Sequence, residues 1–409
     1  MTKQNNLCWI RLAANSMHEL EQQYKVLVDN VQQGLSFKEL YSLNSMEKSS
    51  YSYSKIATNF ESLKDRVLTE APVVKSNKNR VAFLFTGQGS QLPYMGYELY
   101  ETQPIFKKHF DKCAEILIPS LKRDIREIIF TENPNDLNNT GFTQPALFVY
   151  EYAIAKLWQH LGINPSWVIG HSVGEYPAAT FANYVSVQDG VNLISKRAEL
   201  MQSLPAGGSM AALQATRDDI TPFLSKYTNI EIAALNAPLQ TVISGEKNSI
   251  TELLQELKAN KIRGRELVVS HAFHSYLMDP ILSEFEDYAS GIKTHEATAS
   301  LISNVTGQEI SAGELTSNYW RTHIREKVNF LAGLEALEHA GANCFLEVGP
   351  QPFLIGMAAK TYTNDYSFLA SRTNKTSEID QIIAAALALE EHGNIIFWDN
   401  LNLPETCFV

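Results

Sequence analysis

Trp167-Val168-Ile169-Gly170-His171-Ser172-Val173-Gly174-Glu175 is the stretch on which the reading of this sequence turns. Three consecutive apolar residues ending at a glycine read as a strand buried on both faces, the habit of parallel sheets. Residues 170–174 fit G-x-S-x-G, and a helical pattern follows. A serine in that setting is forced onto a sharp strand-to-helix turn, and the flanking glycines relieve the crowding. Its hydroxyl then stands at the positive end of the following helix, where a developing oxyanion is favoured. The plainer alternative, a serine capping a helix in a glycine turn, is as frequent for so short a motif. The strand before and the helix after favour Ser172 as a nucleophile.

Upstream, Val81 to Phe85 is a second buried strand, ending in Gly87-Gln88-Gly89-Ser90-Gln91. A dinucleotide fingerprint would need glycine at position 92, which is leucine, so that loop is read instead as backbone lying close to a ligand oxyanion, or as a plain tight turn. Helical patterns over Ala146 to Leu161 and Val187 to Leu204 alternate with these strands, which implies an α/β core with a mostly parallel sheet. Residues 208–269 change rhythm. Strands over Met210 to Gln214, Ile230 to Leu235, Gln240 to Ser244 and Arg265 to Val269, with helices near Asp218 to Lys226 and Ser249 to Ala259, give the β-α-β-β-α-β order of a ferredoxin-like insertion. The α/β texture resumes at Leu301-Ile302 and Phe345-Leu346.

The first 78 residues read as a small αβ unit: a strand over Leu7 to Leu12, a helix from Leu20 through Leu27, a polar Ser-rich stretch from Ser42 to Ser54, and a helix around Ile56 to Leu68. Pro72 to Asn79 reads as a solvated junction. The expected division is 1–78, a core made of 79–207 and 270–370, the insertion 208–269, and a C-terminal segment 371–409.

A serine nucleophile needs a base. Among ten histidines, His271-Ala272-Phe273-His274-Ser275 falls where the insertion returns to the main sheet, a place from which a loop can hang over the elbow. No acid is well placed as a third member; Asp279 is the nearest downstream. Arg197, on an amphipathic helix, would by itself be an exposed, solvated arginine.

Composition narrows the function classes. The chain is 44% hydrophobic and 19% charged, with a net charge of -11, which argues against nucleic acid or an anionic membrane as partner. Its four cysteines, Cys8, Cys113, Cys344 and Cys407, have no metal-ligand spacing, so no metal site is expected. Without a secretory signal or an apolar run of membrane-spanning length, the expected location is cytoplasmic.

Taken together these residues resemble the acyltransferase domains of polyketide synthases and the malonyl-CoA:acyl-carrier-protein transacylases. The landmarks, in order, are Gly87 to Gln91, Thr143-Gln144-Pro145-Ala146-Leu147-Phe148, Gly170 to Glu175, Arg197 with Met201, Asn236-Ala237-Pro238, His271 to His274, and Glu347-Val348-Gly349-Pro350. The resemblance spans roughly residues 80–370 and implies an α/β-hydrolase-like parallel-sheet core with an inserted ferredoxin-like subdomain. The flanks are similar to the linker between ketosynthase and acyltransferase, with Ile396-Phe397-Trp398 in a segment packing back on it.

By that resemblance, Ser172 is the acylated nucleophile, His274 the general base, and the backbone N–H groups of Gln88 and Val173 the oxyanion hole. Arg197 would hold the malonate carboxylate as a two-pronged ion pair. His171, Phe273, Met201 and Asn236 would line the substrate pocket. A main-chain carbonyl, rather than an acid, would orient the histidine, and His323 in Tyr319-Trp320-Arg321-Thr322-His323 is the matching choice. The implied substrates are malonyl-CoA and the phosphopantetheine thiol of an acyl carrier protein, with no metal or organic cofactor. A ketosynthase or larger polyketide synthase is the implied wider partner. Val173 and Phe273 both fall on the malonyl rather than the methylmalonyl side. Two positions depart from the family pattern: Pro177, which is expected to bend the nucleophile helix locally, and Asn183, where a glycine is common. An acyl hydrolase of the same fold, a carrier-to-carrier acyltransferase and an inactive docking domain are the alternatives; Arg197 counts against the hydrolase, and the intact set of Ser172, His274, Gln88 and Arg197 against the inactive domain.

Overall fold

The computed structural model describes residues 8–45, 47, 51–57, 59–72, 80–364 and 366–403. Leu7, residues 73–79 of the expected junction, and Cys407 with the rest of the final six residues lie outside them. Twelve strands are described: β1 (Cys8–Ala14), β2 (Tyr51–Ala57), β3 (Val81–Phe85), β4 (Trp167–Gly170), β5 (Gly208–Leu213), β6 (Ile230–Ala237), β7 (Gln240–Glu246), β8 (Gly264–Glu266), β9 (Ser300–Ile302), β10 (Glu309–Ile310), β11 (Cys344–Val348) and β12 (Ser367–Ala370).

The central sheet runs β10-β9-β4-β3-β11-β12, parallel throughout except for the β10 edge. Every residue of β3, β4 and β11 is buried. This is why these strands read as unbroken apolar runs rather than alternating ones. β3 and β4 are neighbours in register, Phe85 opposite Gly170, so the loops that leave them emerge side by side at one carboxyl edge. That edge is where open α/β sheets bind their ligands. Helix Thr140–His160, the last of four helices between them, is buried on nearly every face.

The insertion is ferredoxin-like in space as well as in order. Its antiparallel sheet runs β6-β7-β5-β8, which from the other edge is fourth, first, third, second. It has its own core, in which Ala211, Leu213 and Ile243 meet Ile220, Ile250, Leu253 and Leu257 of the two covering helices. It also touches the main body, where Leu235 N–H donates to Val328 O (2.9 Å) and Val328 N–H to Ala233 O (2.9 Å).

In the N-terminal unit the expected polar stretch needs correcting. Tyr51–Ala57 is β2, paired antiparallel to β1 from Cys8↔Ala57 to Ala14↔Tyr51. Tyr and Ser occupy this strand where aliphatic residues would have signalled it, and its partner lies far away in sequence, so no local pattern reveals it. The following helix begins at Phe60 rather than Ile56, because Asn59 caps it by accepting from Ser62 N–H (2.9 Å).

The C-terminal helix Glu378–Glu391 and the turn after it reach back to this unit. Arg11, fully buried, makes two hydrogen bonds of 2.7 Å to the carboxylate of Glu390. Trp9 stacks on Trp398 at 6.2 Å, and Lys55 pairs with Glu391 at 3.0 Å. Among the described residues no helix is long and apolar enough to cross a membrane.

Candidate active site

The elbow is built by backbone that only glycine can supply on either side of the serine. A Cβ on Gly170 would come within 2.0 Å of Glu175 N, and one on Gly174 within 2.3 Å of Phe85 O. Between them Ser172 has φ +50°, the left-handed region that non-glycine residues rarely enter. Pro177, the departure expected to bend the following helix, sits in the first turn of Glu175–Phe181, where no intrahelical N–H is lost. Asn183, in place of the common glycine, has φ +66°, which asparagine tolerates better than most, and its side chain donates to Glu296 O (2.7 Å).

Ser172 Oγ lies 2.7 Å from His274 Nε2. His274 Nδ1 lies 2.8 Å from the carbonyl oxygen of Glu326. A carbonyl can only accept, so Nδ1 carries the proton and Nε2 is free to take one from the serine. The orienting carbonyl is therefore that of Glu326, not of His323. His323 lies inside helix Ser317–Arg325, where carbonyls run along the axis, whereas Glu326 is the first residue past it, with extended backbone (ψ 158°) that turns its carbonyl outward. His323 itself is fully buried, 3.0 Å from Asn304 Nδ2. Asp279 is no third member: it pairs with Arg325 at 2.7 Å. Burial, and secondarily the Arg197 charge, push the pKa of His274 down to about 3, so the base stands neutral.

Arg197 is 2% exposed, contrary to the solvated arginine its helix alone would suggest. It donates to Gln144 Oε1 (2.6 Å) and lies 3.4 Å from Ser172 Oγ. Its guanidinium also faces the Tyr176 ring at 5.5 Å, while Nε has no hydrogen-bond partner among the described residues. None of the ion pairs among the described residues involves Arg197. Burial accordingly draws its pKa below the ordinary arginine value. A desolvated cation beside a nucleophile, with donors to spare, is a receptor for a small anion.

The remaining candidates surround this pair. Gln144 donates to Met201 Sδ (3.2 Å), so Met201 and Arg197 share one partner. His171 Nε2 meets Asn236 Oδ1 at 2.8 Å, bringing the insertion onto the elbow. Gly87 is packed so closely that a Cβ there would lie 3.0 Å from His171 Nδ1, so the glycine loop lies against the residue before the serine. Val173, in that turn, and Phe273, beside the base, are both buried. The Gln88 side chain donates to Thr140 Oγ1 (3.2 Å), Thr140 meets Ser270 Oγ (2.6 Å), and Ser270 meets His271 Nδ1 (3.0 Å). That chain ties the glycine loop to the histidine loop. Sequence reasoning missed Glu326 as a partner because a backbone carbonyl leaves no mark in residue identity; it passed over Gln144, although that residue stood inside a recognised landmark.

Comparison with known proteins identifies the family of the chain. The acyl transferase domain family matches residues 82–386. Mycoketide-CoA synthase of Mycobacterium tuberculosis is 42% identical over 276 residues, and the spectinabilin polyketide synthase system protein NorB of Streptomyces orinoci is 39% identical over 289. These cover 68% and 69% of this chain, which spans only 7% and 13% of their lengths. Among solved structures, the acyltransferase domain from the second module of the salinomycin polyketide synthase superposes with a TM-score of 0.79 at 32% identity, covering 97% of this chain and 96% of that one. The malonyl CoA-acyl carrier protein transacylase of Clostridium perfringens gives 0.69 at 27%, covering 76% and 99%.

Proposed function

The chain belongs to the acyl transferase domain family, and from that membership we propose that it moves a malonyl group from malonyl-CoA to the phosphopantetheine thiol of an acyl carrier protein, within polyketide or fatty acid assembly. The observation that carries the malonyl reading is Arg197: a buried guanidinium with no acid paired to it among the described residues, 3.4 Å from the serine hydroxyl. A malonyl thioester keeps a free carboxylate that can pair with this guanidinium; an acetyl thioester has none. The synthases among its relatives support a setting in a larger synthase, and the transacylase supports a carrier protein as partner.

The proposed chemistry is ping-pong. Ser172 Oγ attacks the thioester carbonyl as its proton passes to His274 Nε2. The C–S bond breaks, the coenzyme A thiolate takes that proton, and a malonyl-serine ester remains. The carrier thiol then gives its proton to His274, its sulfur attacks the ester, and Ser172 regains the proton as the C–O bond breaks. The backbone N–H groups of Gln88 and Val173 are assigned to the oxyanion in both steps. Glu326 O keeps the imidazole in one tautomer throughout. No metal or organic cofactor takes part in this scheme.

The test is a pair of loading assays on Arg197→Ala. Malonyl loading is expected to fall about one to two decades more than acetyl loading, the worth of a charge-assisted contact of roughly 1.5–3 kcal/mol. Equal losses for both donors would make the arginine a structural residue and remove the malonyl assignment.

Phe273 bears on the α-carbon. Its ring is buried beside His274, where it would occupy the room that an α-methyl needs, so malonyl-CoA should be preferred over methylmalonyl-CoA. One methyl group in an apolar pocket is worth about 1–3 kcal/mol, so the preference is partial. Phe273→Ser is expected to narrow it, chiefly by better use of the methylated donor. A competition assay read by the mass of the acylated carrier checks both points; equal use by the unaltered protein would sink the steric argument.

A further inference from the structure

Directly behind the nucleophile lies a carboxylate to which the chemistry above gives no part. Glu175 follows Gly174 in the elbow, is fully buried, and pairs with no lysine or arginine among the described residues. Three donors converge on it. The backbone N–H of Asn304 reaches Oε2 at 2.7 Å, the side-chain amide of Asn304 shares that oxygen, and the Tyr319 hydroxyl takes Oε1. Burial raises its pKa to about 7 against the pull of these hydrogen bonds. The Ser303 hydroxyl lies 2.7 Å from the Tyr319 oxygen and can donate to it, so the group forms one closed polar cluster.

Both sides of this cluster end on the reacting pair. The backbone N–H of Glu175 donates to Ser172 O and Val173 O, closing the turn that presents the serine hydroxyl. Tyr319 stands in the first turn of the helix that stops at Glu326, the residue whose carbonyl holds His274. Asn304 O accepts from Asn329 N–H at 2.6 Å, just beyond Glu326, and the Asn329 side chain returns to Val305 O. The segment carrying the Glu326 carbonyl is thus pinned at both ends by residues that meet on the Glu175 carboxylate.

We propose that Glu175 is a positioning residue for the serine–histidine pair: its carboxylate fixes the register between the nucleophile turn and the 304–329 segment, so that Glu326 O meets His274 Nδ1 while Nε2 faces Ser172 Oγ. The inference rests on the acyl-transfer reading only in taking Ser172 and His274 as the reacting pair. A residue that merely filled the core would change stability and leave the reactivity of the folded protein alone. Glu175 instead couples two elements whose separation sets a hydrogen bond of 2.7 Å.

Glu175→Gln keeps the shape but sets an amide donor against Asn304 and Tyr319, which are donors themselves. In the folded protein, with folding followed by circular dichroism, kcat is expected to drop about 10- to 100-fold, the scale of a misplacement near 1 Å. KM for the acyl-CoA should stay within about twofold, because the carboxylate receptor is untouched. Phenylmethylsulfonyl fluoride, which reacts with an activated serine and needs no acyl donor, should label Ser172 more slowly in proportion to kcat. Tyr319→Phe removes one donor with little change of volume and should give a milder loss of about 3- to 10-fold in both readouts, so the idea remains testable if the first variant fails to fold. Wild-type kcat and labelling in a folded variant would overturn the proposal, as would a loss confined to KM. Because labelling is independent of substrate, a wild type that refused malonyl-CoA would refute the malonyl reading and leave this test intact. A wild type whose Ser172 resisted the reagent would overturn both.

Discussion

Ser172→Ala should abolish the covalent malonyl adduct, and with it transfer to a carrier protein, by a factor on the order of 10⁴ to 10⁶. Among the described residues only the Ser172 hydroxyl is hydrogen-bonded to His274 Nε2, the proposed proton acceptor, at 2.7 Å. Intact-protein mass after brief exposure to malonyl-CoA is the measurement, and an adduct that persists in the alanine variant would put the nucleophile elsewhere. The same position carries a stability effect of opposite sign. At φ +50° a Cβ is strained, by roughly 1–3 kcal/mol, and alanine keeps that Cβ while glycine removes it. Ser172→Gly should therefore melt above Ser172→Ala although both are inert. This is the trade between activity and stability that a strained site entails.

His274→Ala should cost about 10²-fold or more in turnover, the usual share of a general base, and near-normal turnover would remove it from the mechanism. Its pH behaviour follows from its surroundings. With a pKa pushed down to about 3 by burial and by Arg197, the free enzyme keeps a neutral base across the physiological range. The acid limb of kcat/KM should therefore appear near pH 3 to 4, not near 6.5, and should vanish in the alanine variant. The unfolded histidine binds its proton near pH 6.5 while the folded one does not, so this residue's contribution to stability is full above that value. It is lost as pH falls towards 3. A limb near pH 6.5 in the native enzyme would contradict the buried, neutral state.

What could be read from residue identities was what a side chain or a run of them announces. The buried strands β3 and β4 are announced by apolar runs, and the elbow by two glycines whose missing Cβ atoms the backbone demands. The ferredoxin-like order could be read because each of its elements has its own period. β2 was lost because Tyr-Ser-Tyr-Ser does not look aliphatic and its partner is remote. The carbonyl of Glu326 was misassigned to His323 because the choice depends on where a helix stops, and ends are the least determined part of a helix. Arg197 is the instructive case. Its neighbours in sequence suggest solvent, and only the fold reveals that it is enclosed, with Gln144 and Tyr176 as company and no acid paired with it among the described residues.

The clasp between Arg11 and Glu390 bears on where such a unit can be cut and transplanted. The family's match ends at residue 386, and neither partner of the clasp lies within it. A graft that kept the N-terminal unit but stopped at that boundary would leave Arg11 enclosed without its acid. One that began at residue 82 and kept the tail would strand Glu390 instead. Removing one partner of a buried pair commonly costs about 3–5 kcal/mol, a large share of a domain's whole stability. The two flanks therefore travel as one piece: a graft carries both or neither, and a hybrid enzyme that keeps only one inherits a fault at a point remote from its serine.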